Sequence, residues 1–305
     1  MKHRLEVKVT EEAAEGLRAD RYISEFLQLF SRSQIKQREV LLWINGKSSK
    51  LSRTLDLGDT LIVEYSEAAE ISVEPENIPL DILFENDRAL VINKVQGMVV
   101  HPAAGNYTGT LVQALLYYVK YLGRNFDGEK VRPGIVHRLD KDTSGVLVAA
   151  KDPEALQFLS KQFEMKKVRK TYLAIVKGRV QRRSGRIDHP IARDPKNRKR
   201  FTWKREDGKV SCTNYRLIRY LNNASLMELS PSTGRTHQLR VHMSSIGHPI
   251  VGDSLYGRRG GKFGSYSLLL HAYKILIQLP DEEPRIYRAP LPSHFKTALQ
   301  ELGPD

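Results

Sequence analysis

The sequence predicts an α+β chain: a mixed, mostly antiparallel sheet in a large C-terminal domain, preceded by a small α/β module. Three observations predict it. Short apolar runs of strand type recur at 89–93, 146–150, 172–176, 226–229 and 267–271. Helical runs fall between only some of them, whereas a parallel βαβ array would alternate regularly. A segment at 66–79 carries Glu67, Glu70, Glu74 and Glu76 with Pro75 and Pro79, and reads as a linker. The expected domains are therefore 1–75 and 76–305.

In the N-terminal module, Asp20 is placed to cap a short helix with Ile23, Phe26 and Leu27 on its apolar side. Ser31-Arg32-Ser33 is a second capping signal, ahead of a basic segment with Ile35, Lys36 and Arg38. Residues 40–44 form a strand-like run, and Asn45-Gly46 is a hairpin turn signal. Leu57-Gly58-Asp59 predicts another turn, with a strand at 60–63. Residues 71–73 could pair as a short strand. In the C-terminal domain the clearest helix is 152–166. Asp152 is its cap, Pro153 suits the first helical position, and Ala155, Leu156, Leu159 and Phe163 make the apolar stripe. No internal repeat is visible.

The chain has 305 residues, 49 Lys and Arg against 35 Asp and Glu, and a net charge of +14. Its composition, 40% hydrophobic and 28% charged, is that of a folded chain rather than a disordered or fibrous one. The single cysteine, Cys212, excludes an intramolecular disulfide and any multi-cysteine metal centre. A reducing, cytoplasmic setting is expected. No apolar run approaches the roughly 20 residues of a membrane-spanning helix, and residues 1–8 have no apolar core of a secretory leader.

The charge is concentrated. Residues 161–209 hold eighteen Lys and Arg against five Asp and Glu, a net of +13. Residues 18–53 add a further +5. A solvated face normally mixes both signs, so this block points to a polyanion, with nucleic acid foremost. An anionic membrane is disfavoured because no basic amphipathic helix has a broad apolar face. Tyr172, Phe201 and Trp203 lie among the basic residues. Such rings either stack on unpaired bases or belong to the core.

Three clusters carry the chemistry. His137-Arg138-Leu139-Asp140-Lys141-Asp142-Thr143-Ser144-Gly145 leads directly into a buried strand, a frequent place for catalytic groups, although a polar turn has the same composition. Arg169-Lys170-Thr171-Tyr172 opens a second strand. In Gly234-Arg235-Thr236-His237-Gln238-Leu239-Arg240-Val241-His242, Thr236 is expected to cap a helix ending near Gly247, with Leu239, Met243 and Ile246 inward. Arg235 and Arg240 stand against the helix dipole there, so a carboxylate or phosphate is expected beside them. Zinc ligation is disfavoured because His237 and His242 are five residues apart. A phosphate-binding Gly-x-x-x-x-Gly-Lys-Ser/Thr loop is missing, Ser144 has no nucleophile-elbow context, and 257–264 reads as a flexible glycine-rich loop.

These clusters, with Asn93-Lys94, Gly97 and His101-Pro102 ahead of them, resemble the motifs of the RluA/RluD-type pseudouridine synthases, in the same order. Residues 15–65 resemble the S4-type RNA-binding domain that precedes many such catalytic domains. The resemblance implies a pseudouridine synthase fold and isomerisation of uridine in RNA, without cofactor or metal. It implies Asp140 as the catalytic carboxylate, Arg240 as its ion-pair partner and Tyr172 as the ring that stacks on the base and helps remove the C5 proton. Two routes are open for Asp140, addition to the sugar or removal of the 2′ proton. Arg138 would replace the flipped base or hold its phosphate. Further RNA contacts are expected from His137, Arg169, Lys170 and Arg235 around the clusters, from Arg198, Lys199 and Arg200 in the basic block, and from Arg32 and Lys36 in the N-terminal module. The implied partner is 23S ribosomal RNA or a precursor particle of the large subunit, engaged by a monomer. The alternatives are the same chemistry on tRNA, or a non-catalytic RNA-binding or ribosome-assembly factor. A degenerate factor would have lost the acid or the ring, but Asp140, Tyr172 and Arg240 are all present.

Overall fold

The computed structural model describes residues 2–30, 35, 40–66, 73–102, 105–119, 134–257 and 263–303. The chain divides into two compact units, Met1–Ser72 and Val73–Asp305. The capping signal at Ser31-Arg32-Ser33, with Lys36 and Arg38, lies outside the described residues, as does most of the expected strand at 71–73.

In the first unit, β1 (Lys2–Lys8), α1 (Ala19–Glu25), β2 (Leu41–Ile44), β3 (Lys47–Ser49) and β4 (Thr60–Ser66) build an antiparallel sheet in the order β1-β4-β2-β3. Asn45 (φ 51°) and Gly46 (φ 75°) both take the left-handed backbone that a two-residue hairpin requires. Leu42, Ile44, Leu61 and Val63 bury against Tyr22 and Ile23 of α1. Asp20 does not cap α1. The helix begins two residues earlier than expected, and its first amides are already satisfied by backbone carbonyls: Ala19 N–H on Arg53 O at 2.8 Å and Asp20 N–H on Leu51 O at 2.9 Å. The Asp20 carboxylate instead receives the Arg18 guanidinium at 3.1 and 3.0 Å.

The second unit contains β5 (Ile82–Glu85), β6 (Ala89–Lys94), α2 (Leu111–Tyr118), β7 (Ser144–Ala150), α3 (Pro153–Glu164), β8 (Arg169–Lys177) and β9 (Ser184–Ile187). It continues through a small hairpin of β10 (Ala192–Arg193) and β11 (Phe201–Thr202), then β12 (Thr213–Leu221), β13 (Ala224–Pro231), α4 (Gln238–Ser245), β14 (Leu270–Ile277), β15 (Arg285–Arg288) and α5 (Ser293–Leu302). The main sheet runs β5-β6-β7-β14-β8-β13-β12-β9, with β15 also paired to β14. Only the β7–β14 pair is parallel among the described strands. The sheet is thus mixed and mostly antiparallel, in an α+β unit.

Both faces are covered. α3 packs Ala155 and Leu159 on Val146 and Val148, and α5 packs Phe295 on the same face through Leu173 and Ile175. α2 and α4 cover the other face, through Leu147 and Ala149 and through Ala174 and Val176. Every residue of β7 is buried, as a central strand demands. Asp152 caps α3, accepting the Ala155 N–H at 2.8 Å. The last expected strand, 267–271, is displaced to Leu270–Ile277. The leucines at 268–270 mark only its approach and first residue, and the strand continues through His271, Tyr273 and Lys274 to the apolar end Ile275-Leu276-Ile277.

One junction sets up the site. In β14, Ala272 stands opposite Gly145 of β7 on one side and Tyr172 of β8 on the other. Gly145 takes φ 114°, and a Cβ there would lie 2.2 Å from the Ala272 carbonyl oxygen. Only glycine allows this close approach. The loop before β7 and the start of β8 are thereby brought to one place.

Candidate active site

The loop ahead of β7 is held from behind by the segment 94–98. Asp140 O accepts the Thr143 N–H at 3.1 Å, closing a tight turn. Gly97 N–H donates to Lys141 O at 2.9 Å, and the Gln96 carboxamide donates to Asp142 O and Leu268 O, both at 2.8 Å. The Lys94 side chain is 1% exposed, and its ammonium donates to Val95 O, Met98 O and Lys141 O at 2.9, 2.8 and 3.2 Å. Burial pulls this lysine down to about 8, against the opposing pull of Asp142 and Asp140. A buried ammonium with three carbonyl partners fixes the backbone on which Asp140 is mounted.

His137, in the same loop, turns inward. Its Nε2 accepts the Val148 N–H at 3.0 Å, and its ring stacks on Phe163 with centroids 4.7 Å apart. Burial pushes it to about 3, with Lys170 adding to the shift, so it is neutral at ordinary pH. One ring nitrogen is therefore committed to holding the loop on β7.

Opposite, α4 delivers Arg240. Thr236 does not cap this helix. Its cap is His237, in the left-handed region (φ 57°), and the Gln238 side chain organises the turn. Gln238 Oε1 accepts the Arg235 N–H at 3.0 Å and the Thr233 hydroxyl at 2.7 Å, while Nε2 donates to Cys212 O at 2.9 Å. The anion expected near Arg240 is present twice. Asp253 receives the guanidinium through two bonds, Nε at 2.8 Å and NH2 at 2.9 Å, and NH1 reaches Asp140 Oδ2 at 3.4 Å. Arg240 is 5% exposed. Burial alone would lower its guanidinium, but the bonds and charge of Asp253, with Asp140, outweigh that and raise it. Asp253 is held below the usual carboxylate range for the same reason. Asp253 was not legible as a partner of Arg240. Beside it Gly252 occupies a forced turn, with φ 77° and no room for a Cβ, which would clash with Ser267 O.

A cavity of about 470 Å³ lies between these elements. Asp140, Tyr172, His237 and Arg240 line it, with His137, Arg138, Lys170 and Arg235 around them. Burial and the neighbouring Asp140 push the Tyr172 hydroxyl up, so it is a neutral phenol. The arrangement combines a carboxylate held by a fixed cation, an aromatic wall and a basic rim, which suits a planar base on an anionic strand.

Of the remaining sequence-derived candidates, Arg138, Lys170 and Arg235 lie on the cavity wall, whereas Arg169, Arg198, Lys199 and Arg200 do not line it. Arg138 is exposed, the Lys170 ammonium lies 5.9 Å from the Phe163 ring centroid, and Arg235 Nε donates to Val210 O at 3.3 Å. Arg169 is exposed at the start of β8, and Arg198 and Lys199 are exposed in the hairpin between β10 and β11. Arg200 packs on the Tyr256 ring at 5.3 Å. Arg32 and Lys36 lie outside the described residues. Phe201 meets His237 edge-on at 5.5 Å and Trp203 stacks on His189 at 5.2 Å, so both rings have protein partners. Tyr256 was also missed: its hydroxyl accepts the Phe201 N–H at 2.8 Å and lies 2.9 Å from His237 Nδ1.

Comparison with known proteins agrees with this geometry. A family model described as RNA pseudouridylate synthase matches residues 88–245. The chain is 43% identical to ribosomal large subunit pseudouridine synthase D of Borreliella burgdorferi, over 94% of this chain and 90% of that one. It is 45% identical to an uncharacterized RNA pseudouridine synthase of Aquifex aeolicus, over 83% and 80%. Among solved structures, human RNA pseudouridylate synthase domain containing 4 superposes with a TM-score of 0.60 at 27% identity, over 73% of this chain and 92% of that one.

Proposed function

The chain belongs to the RNA pseudouridylate synthase family, and from that premise we propose that it isomerises uridines of large-subunit ribosomal RNA, with Asp140 as the catalytic carboxylate. The observation that carries the assignment is the geometry at Arg240. Two of its nitrogens are fixed on Asp253, and NH1 is left directed at Asp140 across the cavity. A carboxylate so placed stays beside a cation when the pocket closes and water leaves.

A uridine reaches Asp140 only after leaving its stack, at a cost of a few kcal/mol. The neutral Tyr172 ring offers a surface for the flipped base. Held as a phenol, it assists removal of the C5 proton without being the base that keeps it. Arg138 at the rim supplies the contact to the displaced neighbour or the phosphate. The basic stretch 161–209 offsets the flipping cost through phosphate contacts. The excess of cations in 18–53 supports an S4-type RNA-binding role for residues 1–75.

The ribosomal substrate is supported by the names of relatives such as the Borreliella burgdorferi protein. The protein is expected to work as a monomer in the cytoplasm. Its single cysteine is buried, and no helix among the described residues is long and apolar enough to cross a membrane. The test is tritium release from RNA carrying 5-tritiated uridine, with wild type beside Asp140→Asn. Release by wild type alone, on ribosomal RNA and not on tRNA, is expected. Equal release by the variant would refute Asp140 as the catalytic group, and release from tRNA alone would refute the substrate.

A further inference from the structure

The cavity holds an ionisable ring to which no step has been given. His237 stands at the cap of α4 with φ 57° and ψ 16°, a backbone that a residue other than glycine rarely takes. Such a conformation persists only where surrounding contacts over-determine it, and at a pocket it points to a role. This twist carries the ring between two partners. Nδ1 lies 2.9 Å from the Tyr256 hydroxyl, and Nε2 lies 4.0 Å from Asp140 Oδ2.

The tautomer follows from the far side of Tyr256. The Phe201 backbone N–H donates into the Tyr256 oxygen at 2.8 Å, so that oxygen already has a donor while its own proton has none of the described groups but His237 to go to. The acceptor is then His237 Nδ1. An imidazole that accepts at Nδ1 carries its proton at Nε2 when neutral. Burial and the Arg240 charge push His237 below the ordinary imidazole range, against the pull of Asp140, so the neutral ring is the one to consider.

We propose that His237 is a positioning residue for Asp140, fixed by Tyr256 as the Nε2–H tautomer so that this N–H and Arg240 NH1 converge on the same carboxylate oxygen and leave the other to react with the nucleotide. The convergence is visible in the structure: both nitrogens face Oδ2, at 3.4 Å from Arg240 and 4.0 Å from His237. At 4.0 Å the second approach is not yet a hydrogen bond. Catalytic contacts of this kind shorten when substrate fills the site. Arg240 alone restrains the carboxylate at one point, and a second donor on the same oxygen also fixes its rotation. Asp140 then presents one defined oxygen to the sugar.

This inference rests on Asp140 being the catalytic carboxylate, so the tests separate the two. Asp140→Asn decides the catalytic assignment by itself. The tautomer is read without any turnover, by long-range 1H–15N correlation on full-length protein labelled with 15N-histidine, the His237 signal being assigned from its disappearance in His237→Asn. The expected result is a neutral His237 with a bare Nδ1 and a protonated Nε2, and loss of that single state in Tyr256→Phe, which keeps the ring. An Nδ1–H tautomer in the wild type overturns the proposal.

Kinetics give the second test. Asparagine tolerates the left-handed backbone, but its amide is too short to reach Asp140. His237→Asn is expected to lower kcat on the order of 100-fold, the scale for removing one preorganised donor, with KM within about twofold. His237→Gln, whose amide N–H extends further, is expected to recover at least about a tenth of the wild-type rate on the same scale. Wild-type kcat in His237→Asn overturns the proposal. A loss that appears in KM alone, or that glutamine does not relieve, also overturns it and leaves His237 a structural cap.

Discussion

Arg240 and Lys199 carry the same charge in opposite surroundings. Arg240 is sunk in the second unit with two nitrogens on Asp253 and the third directed at Asp140, whereas Lys199 stands exposed between β10 and β11. A buried cation is tolerable only with its partners in place, so its geometry is part of its function. An exposed cation interacts through screened fields and acts by number. Charge-conserving exchange should therefore be ruinous in the pocket and harmless in the hairpin.

The largest effect expected tests this directly. Arg240→Lys keeps the charge but loses the planar fork, and kcat should fall on the order of 100-fold or more. Lys199→Arg should alter kcat and RNA affinity by less than about twofold. Equal tolerance of both exchanges, in steady-state turnover of tritiated RNA, would abolish the distinction. Next comes stability. Asp253→Ala leaves a buried guanidinium without its main partner and should cost about 3–5 kcal/mol in urea unfolding. A cost below about 1 kcal/mol, the range of exposed pairs, would place Arg240 with the surface cations.

The hairpin is tested by salt. Neutralising Arg198, Lys199 and Arg200 to glutamine should weaken RNA binding across sequences. It should also reduce the slope of log K against log salt by roughly one for each phosphate no longer neutralised. An unchanged slope would put the RNA footprint elsewhere. A further test concerns pH. His137 and His271 are lowered by burial to about 3 and about 4 from 6.5. Between those values and 6.5 the unfolded chain binds protons that the folded one does not, so stability is full above about pH 6.5 and falls as pH drops toward 4. Thermal melts from about pH 7.5 to about 4.5 should show the decline, and His137→Gln should make it shallower.

Much of the fold could be read from local pattern. The strands at 89–93, 146–150 and 172–176, and the Asp152 cap of α3, depend on neighbours a few residues away. Asp140, Tyr172 and Arg240 were nominated from motifs, and the structure brings all three to one cavity. What escaped depends on distant partners. Asp253 and Tyr256 matter through Arg240 and Phe201, and no periodicity links those positions. The caps at Asp20 and Thr236 were misplaced because the helices start elsewhere: α1 begins at Ala19, whose amide and that of Asp20 go to the carbonyls of Arg53 and Leu51, and the Gln238 N–H turns back to Arg235 O. The hairpin was legible only as charge density, which reports an affinity for polyanions but not the path of a strand.

The parallel pairing of β7 with β14 also sets a schedule for synthesis. β14 inserts between β7 and β8, more than a hundred residues after β7 leaves the ribosome. Until then Gly145 lacks its close neighbour, and the loop of Asp140 has no fixed relation to Tyr172. A chain still being made can fold its first unit, but it has no assembled pocket until residue 277 has emerged. The enzyme therefore cannot act on RNA beside the ribosome that is making it before the chain is nearly finished.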